Sequence, residues 1–138
     1  MDQLVRFGVS LDQRLLNKFD RHITRRKYAS RSEALRDLIR DSLVGQEWDD
    51  NKETIGTLTF VYDHHVRDLT SKLTNIQHDY QRQILSGMHM HLDHDHCLEV
   101  LVVKGKGSEI KKVADALVSV KGVKHGKLMM ATTGKALR

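Results

Sequence analysis

The first eleven residues hold one alternating segment, and nothing nearby could pair with it. Val5, Phe7, Val9 and Leu11 are apolar, with Arg6, Gly8 and Ser10 between them. That period of two reads as a strand with one buried face. Two helical patterns follow. Leu15, Leu16, Phe19 and Ile23 form the first apolar stripe; Ala34, Leu35, Leu38, Ile39 and Leu43 form the second. Ser10 and Gln13 have capping-box spacing for the first helix, and Ser30 and Glu33 have it for the second. The basic run Arg25, Arg26, Lys27 suits the negative end of the first helix. A single strand cannot satisfy its own backbone donors and acceptors. A unit below roughly 40–50 residues also buries too little surface to be stable alone. A second copy answers both problems, the two strands pairing into an antiparallel ribbon. Such a ribbon fits the major groove of DNA. Val5, Phe7 and Val9 then pack on the helices while Arg6, Gly8 and Ser10 point outward. On alternation alone, Arg6 and Ser10 serve equally well as the solvent face of an edge strand.

The bulk properties narrow the class. A length of 138 residues suits one ordinary domain or two small ones. Hydrophobic residues make up 39%, enough for a core, and charged residues 30%, too many for a membrane protein. No apolar run approaches the roughly 20 residues of a membrane span. The N-terminus lacks the apolar core of a signal peptide, so the expected compartment is the cytoplasm. The single cysteine, Cys97, excludes an internal disulfide framework. A formal charge of +5 favours a polyanionic partner without establishing one. Residues 1–43 carry ten Lys and Arg against six Asp and Glu, an excess adequate for phosphate contacts.

Gly45 to Glu53 is polar and unperiodic and reads as a linker. Beyond it, Thr57 to Tyr62 reads as a strand, and Val66, Leu69, Leu73 and Ile76 as a helix stripe. Met88 to Asp93 and Cys97 to Val103 read as strands around a short turn. Ser108 opens a helix carrying Ile110, Val113, Leu117 and Val120, Gly122 stops it, and Val123 to Ala131 is a last strand. The order βαββαβ is that of a ferredoxin-like fold. The expected organisation is therefore α+β: a β-α-α domain over 1–44, a linker over 45–53, and a βαββαβ domain over 54–138.

Nine histidines are the unusual entry in the composition. His89 and His91 lie two apart on an expected strand, so both side chains leave one face. Cys97 opens the next strand, near enough across the turn to converge on them, and His78 lies near the end of the preceding helix. Two imidazoles and a thiolate suit a borderline transition metal, and a further imidazole would complete four-coordination. Tetrahedral geometry would favour zinc, and a planar arrangement Ni(II) or Cu(II). His89, His91, Asp93 and His94 also spell H-x-H-x-D-H, the signature of metallo-β-lactamase-like hydrolases. That fold needs a far longer chain, carries its motif on a loop after a strand, and leaves residues 1–43 without a purpose.

The order strand, helix, turn, helix, with the run Arg31-Ser32-Glu33-Ala34-Leu35-Arg36-Asp37, resembles the ribbon-helix-helix repressors. By that resemblance Arg6 and Ser10 occupy base-reading positions. Gly8 departs from the pattern, because the middle position usually carries a polar side chain. The further stretches Gln77-His78, His89-Met90-His91, His96 to Val100, Val103-Lys104-Gly105 and Gly122 to Gly126 resemble the nickel-responsive regulator family. That resemblance implies an ACT-type second domain. It implies one Ni(II) per chain, held in a square plane by His89, His91 and Cys97 with His78 of a neighbouring subunit. It also implies a homotetramer built from two ribbon-helix-helix dimers, a palindromic double-stranded operator, and repression of nickel-uptake genes. Glu33 and Asp37 match carboxylates that help hold a potassium-like cation between the domains; on sequence alone they are a capping glutamate and a solvated aspartate. Tyr62 and Glu99 match residues near the nickel site, and equally read as a half-buried tyrosine and a strand carboxylate. His64 and His125 match positions where the family often has histidine. The competing readings are a metal-independent DNA-binding protein, such as an antitoxin, and a small metallohydrolase. The regular βαββαβ pattern opposes an antitoxin's disordered tail, so the chain is expected to be a regulator and no enzyme.

Overall fold

A computed structural model describes residues 3–137. They divide into two compact units, residues 1–40 and 41–138, each described here by itself.

In the first unit, α1 (Gln13–Arg25) is capped by Asp12, whose side chain accepts from the Arg14 N–H at 2.8 Å. The expected Ser10–Gln13 box is therefore corrected: a carboxylate two residues later caps the helix instead. The box at α2 (Arg31–Asp49) forms with a one-residue offset. Ser30 Oγ accepts from the Glu33 N–H at 3.2 Å, and the Glu33 carboxylate accepts from the Ala29 N–H at 3.2 Å. Arg31 grips Asp20 with two bonds of 2.9 Å, tying the start of α2 to α1. Residues 3–11, expected as a strand, join no helix and no ladder in the single chain. A ladder needs a second strand, and none lies within this unit. Val5, Phe7 and Val9 stay 74%, 71% and 58% exposed instead of packing on the helices. They run beside an open apolar trough with Leu11, Leu15 and Leu35 in its walls.

α2 itself runs through most of the segment expected to be a linker. Gly45 lowers helix propensity by about 1 kcal/mol, but Trp48 gives that turn something to bury. Trp48 is 3% exposed, and its indole donates to the Ala131 carbonyl at 3.0 Å. Asn51, at φ 56°, ends the segment and accepts from the Ser108 N–H at 2.8 Å.

The second unit is a four-stranded antiparallel sheet of order β2-β3-β1-β4, from β1 (Glu53–Asp63), β2 (Ile84–His91), β3 (His96–Lys106) and β4 (Val123–Met130). With α3 (Leu69–Asp79) and α4 (Gly107–Val118) the order is βαββαβ, as expected. Burial alternates along β1, so that Thr54, Leu58, Phe60 and Tyr62 face the core. There they meet Leu69 and Leu73 of α3 and Ile110, Val113 and Leu117 of α4. The opposite sheet face is left open. Met88 pairs with Val100, Met90 with Leu98 and Met129 with Thr57, and these three methionines are 60%, 42% and 62% exposed.

Gly126 is required where β4 passes α4: a Cβ there would lie 2.5 Å from Val118 Cγ2 and 3.1 Å from Phe60 Cβ. Gly126→Ala should destabilise the chain by about 1–3 kcal/mol through overpacking. Gly45→Ala, with nothing within 4 Å of the added methyl, should be neutral or stabilising by up to about 1 kcal/mol. Denaturant unfolding of the two variants checks the opposite signs.

Candidate metal centre and nucleic-acid interface

The register of β3 between its two neighbours builds the candidate centre. Cys97 stands opposite His91 of β2 and opposite Tyr62 of β1, and Glu99 stands opposite His89 and Phe60. Directly opposed residues share a face, so these two rows lie on the helix side of the sheet, at the end near the β2–β3 turn. Cys97 is fully buried, while His89 and His91, on the edge strand, are exposed.

The sulfur of Cys97 lies 3.4 Å from His91 Nδ1 and 3.3 Å from His64 Nδ1. These three donor atoms fall within 4.8 Å of one another. Metal–nitrogen bonds of about 2.0–2.1 Å and metal–sulfur bonds of about 2.3 Å bring ligand atoms to similar mutual distances. The donor set, two imidazoles and a thiol, fits a borderline transition ion and is poorly suited to calcium or magnesium. Burial, and the carboxylates of Glu99, Asp63 and Asp93, push the Cys97 thiol up. The free thiol is therefore held protonated, and an arriving cation must displace that proton, which makes metal affinity rise with pH.

Of the sequence-expected ligands, the structure brings His91 and Cys97 together. His89 is set one row away, its ring 5.3 Å from that of His91 and stacked at 6.3 Å on Tyr62. His78 is exposed in the last turn of α3 and joins no cluster within its own chain. His64 was no expected ligand. It sits just beyond β1, 33 residues from Cys97, and only the sheet register brings it there.

Tyr62 and Glu99 form the wall beside the centre. The Tyr62 hydroxyl donates to Glu99 Oε1 at 2.8 Å, and Gln77 Nε2 donates to Glu99 Oε2 at 2.9 Å. Burial, then the Glu99 carboxylate, raise the Tyr62 phenol well above its ordinary value, so it stays a donor. Gln77 adjoins His78, and its bond to Glu99 fixes the last turn of α3 against β3. Sequence reasoning assigned Gln77 no role; its signal was the spacing that makes Gln77 and Leu73 neighbours on one helix face.

In the first unit, Arg6, Gly8 and Ser10 are exposed, and nothing lies within 4 Å of a Cβ built on Gly8. Glu33 is occupied at the helix cap. Asp37 accepts from the Tyr28 hydroxyl at 2.8 Å and lies 3.6 Å from Arg40. Both carboxylates thus have local partners.

Comparison with known proteins places these features. Residues 55–131 match the family model described as "NikR C terminal nickel binding domain", and residues 5–44 match "Ribbon-helix-helix protein, copG family". The chain is 57% identical to the "Putative nickel-responsive regulator" of Geobacter metallireducens over 99% of both chains. It is 56% identical to the protein of the same name from Solibacter usitatus over 100% of both. Among solved structures, an uncharacterized protein from Thermotoga maritima is similar over 56% of this chain and 96% of its own, with TM-score 0.51 and 18% identity. An ACT domain from the GTP pyrophosphokinase of Chlorobium tepidum is similar over 56% of this chain and 100% of its own, with TM-score 0.49 and 14% identity.

Replacing Cys97 by Ala should abolish any near-ultraviolet sulfur-to-nickel absorption band, because only a thiolate ligand supplies it. The two imidazole candidates then separate cleanly. If His89 and His91 are the ligands, His89→Ala loses the planar nickel spectrum and His64→Ala keeps it. The reverse pattern would assign the ion to His64, His91 and Cys97.

Proposed function

Because the chain belongs to the nickel-responsive regulator family, we propose that it represses nickel-uptake genes when Ni(II) is bound. The observation that carries the metal half of this reading is the Cys97 thiol, with two imidazole nitrogens within 3.4 Å. Family membership makes the chain a regulator and no enzyme. No helix among the described residues is long and apolar enough to cross a membrane.

In this reading His89, His91 and Cys97 hold one Ni(II) per chain, with His78 supplied by a second chain. A Ni(II) ion provides a centre that reverses the electrostatics around the thiol: carboxylates that oppose a lone thiolate favour the cation. His78 suits a role across a subunit boundary because it is exposed on a helix end that Gln77 and Glu99 hold firmly in place. Assembly is supported by two apolar surfaces that the single chain leaves open. In the N-terminal domain, residues 1–44, the strand segment of a second copy would cover Val5, Phe7 and Val9 and complete an antiparallel ribbon. In the domain spanning 54–138, the methionine face of the sheet suits a further contact, giving a homotetramer of two dimers.

Arg6 and Ser10 then face a palindromic operator in double-stranded DNA, with Gly8 between them contributing no side-chain contact. A potassium-like cation on Glu33 and Asp37 would have to compete with the Ala29 N–H and the Tyr28 hydroxyl, so it belongs to the DNA-bound state. The chain works in the cytoplasm, where both the metal and the DNA are met.

Arg6→Ala tests the DNA half of this reading. A bidentate arginine–guanine contact carries about 1–3 kcal/mol of discrimination, so the variant should lose roughly that much preference for operator over random DNA. Its nickel spectrum should be intact. Cys97→Ala should instead lose nickel-dependent operator binding and keep weak, salt-sensitive binding to any DNA. An Arg6→Ala chain with undiminished sequence preference would refute base reading by this strand.

A further inference from the structure

Beyond the Cys97 centre, a second group of metal-ligating side chains lies where two turns meet. His65 follows β1, and His94 and Asp95 form the β2–β3 turn. His65 Nε2 lies 3.3 Å from Asp95 Oδ1, His94 Nδ1 lies 3.1 Å from the same oxygen, and the three donor atoms fall within 4.8 Å of one another. We propose that His65, His94 and Asp95 form an auxiliary, solvent-facing site for a borderline divalent cation of the Zn(II) or Ni(II) kind, distinct from the Cys97 centre.

The spacing supports a ligand set. Bonds of about 2.0–2.1 Å put adjacent ligand atoms about 2.9–3.4 Å apart, for angles between square and tetrahedral. Both imidazole-to-carboxylate separations fall in that range. An ion placed there needs only a small rotation of His94, whose side chain is 89% exposed and free to turn. Two imidazoles and one carboxylate favour a borderline transition ion over calcium or magnesium.

The surrounding backbone fixes the two turns that carry the group. Asp93 Oδ1 accepts from the N–H groups of Asp95 and His96, each at 2.8 Å, which shapes the β2–β3 turn. Asp63 Oδ1 accepts from the His65 N–H at 2.8 Å. The His64 N–H donates to the Asp95 carbonyl at 3.1 Å and joins one turn to the other. The ligands therefore come from two anchored turns, although their side chains face water. That exposure sets the affinity: the site has no thiolate and its vacant positions fall to water, so it fills after the Cys97 centre.

The same two turns also carry the Cys97 centre's neighbour. The rings of His64 and His65 are 4.1 Å apart, and His64 is the residue that reaches the Cys97 sulfur. The auxiliary cation would thus lie one imidazole away from the buried thiol, on the solvent side.

The bland account of the same distances is a pair of imidazolium–carboxylate contacts with no affinity for metal. Equilibrium dialysis of the untagged full chain against increasing Ni(II), and separately Zn(II), with the bound metal counted per chain, decides between them. The wild-type chain should take up a second, weaker equivalent. Cys97→Ala should keep that equivalent while losing the tight one. The double substitution His65→Ala, His94→Ala should lose only the weaker one, with its circular dichroism unchanged. Asp95→Asn, which spares both imidazoles, should weaken it several-fold. Two results would overturn the proposal: no second equivalent in the wild-type chain, or a second equivalent that survives the double substitution. Because the Cys97→Ala chain reports on the auxiliary site by itself, failure here is separable from failure of the nickel-centre reading.

Discussion

Everything specific about this chain's metal chemistry depends on the antiparallel register of β3 between β1 and β2. That register sets Tyr62, Cys97 and His91 in one row and Phe60, Glu99 and His89 in the next. A slip of one residue would turn Cys97 and Glu99 to the methionine face and scatter the donors. The register is held by burial. Leu58, Phe60 and Tyr62 fill the face under α3 and α4, and a slipped β1 would put Thr57, Thr59 and Val61 there instead. The core therefore acts as the alignment device for the site, and the stability of the sheet and the geometry of the donors are one property.

The position of the centre follows from the same arrangement. It lies at the end of the sheet where helix cover runs out, so Cys97 is buried while the imidazoles of the edge strand remain open to solvent. A buried thiol raised by desolvation and three carboxylates is a poor nucleophile by itself. Placed beside imidazoles, it becomes a strong ligand once a cation replaces its proton. The Tyr62–Glu99–Gln77 chain of hydrogen bonds carries the order of this region to the helix end bearing His78.

Much of this was legible in the sequence. Alternation and helical spacing gave every element of the βαββαβ unit, because each has one clearly apolar face. Three features were hidden. Trp48 lies in a polar run after Gly45, and its burial, which keeps α2 helical through Asp49, comes from a contact with Ala131 that no local pattern announces. His64 reaches Cys97 across a sheet pairing, so nearness in sequence could not reveal it. The alternation of residues 5–11 was plain, but the ladder it implies belongs to an assembly, and the single chain leaves those residues exposed. For the same reason a ligand contributed by another subunit, His78, has no geometric trace within one chain. Its assignment rests on resemblance and on its exposed, well-anchored place.

The central claim is that nickel and operator DNA are coupled through this protein. Metal ligands and base-reading residues lie in different halves of the chain, so one can affect the other only by biasing a shared arrangement of the assembly. Such coupling is typically about 1–3 kcal/mol and is reciprocal. The most direct measurement is the Ni(II) affinity of the wild-type protein with and without saturating operator, at fixed salt and pH. The account predicts that operator tightens nickel binding by the same factor, roughly 5–150-fold, by which nickel tightens operator binding. Equal nickel affinities in the two conditions would contradict it, even if each ligand binds well alone.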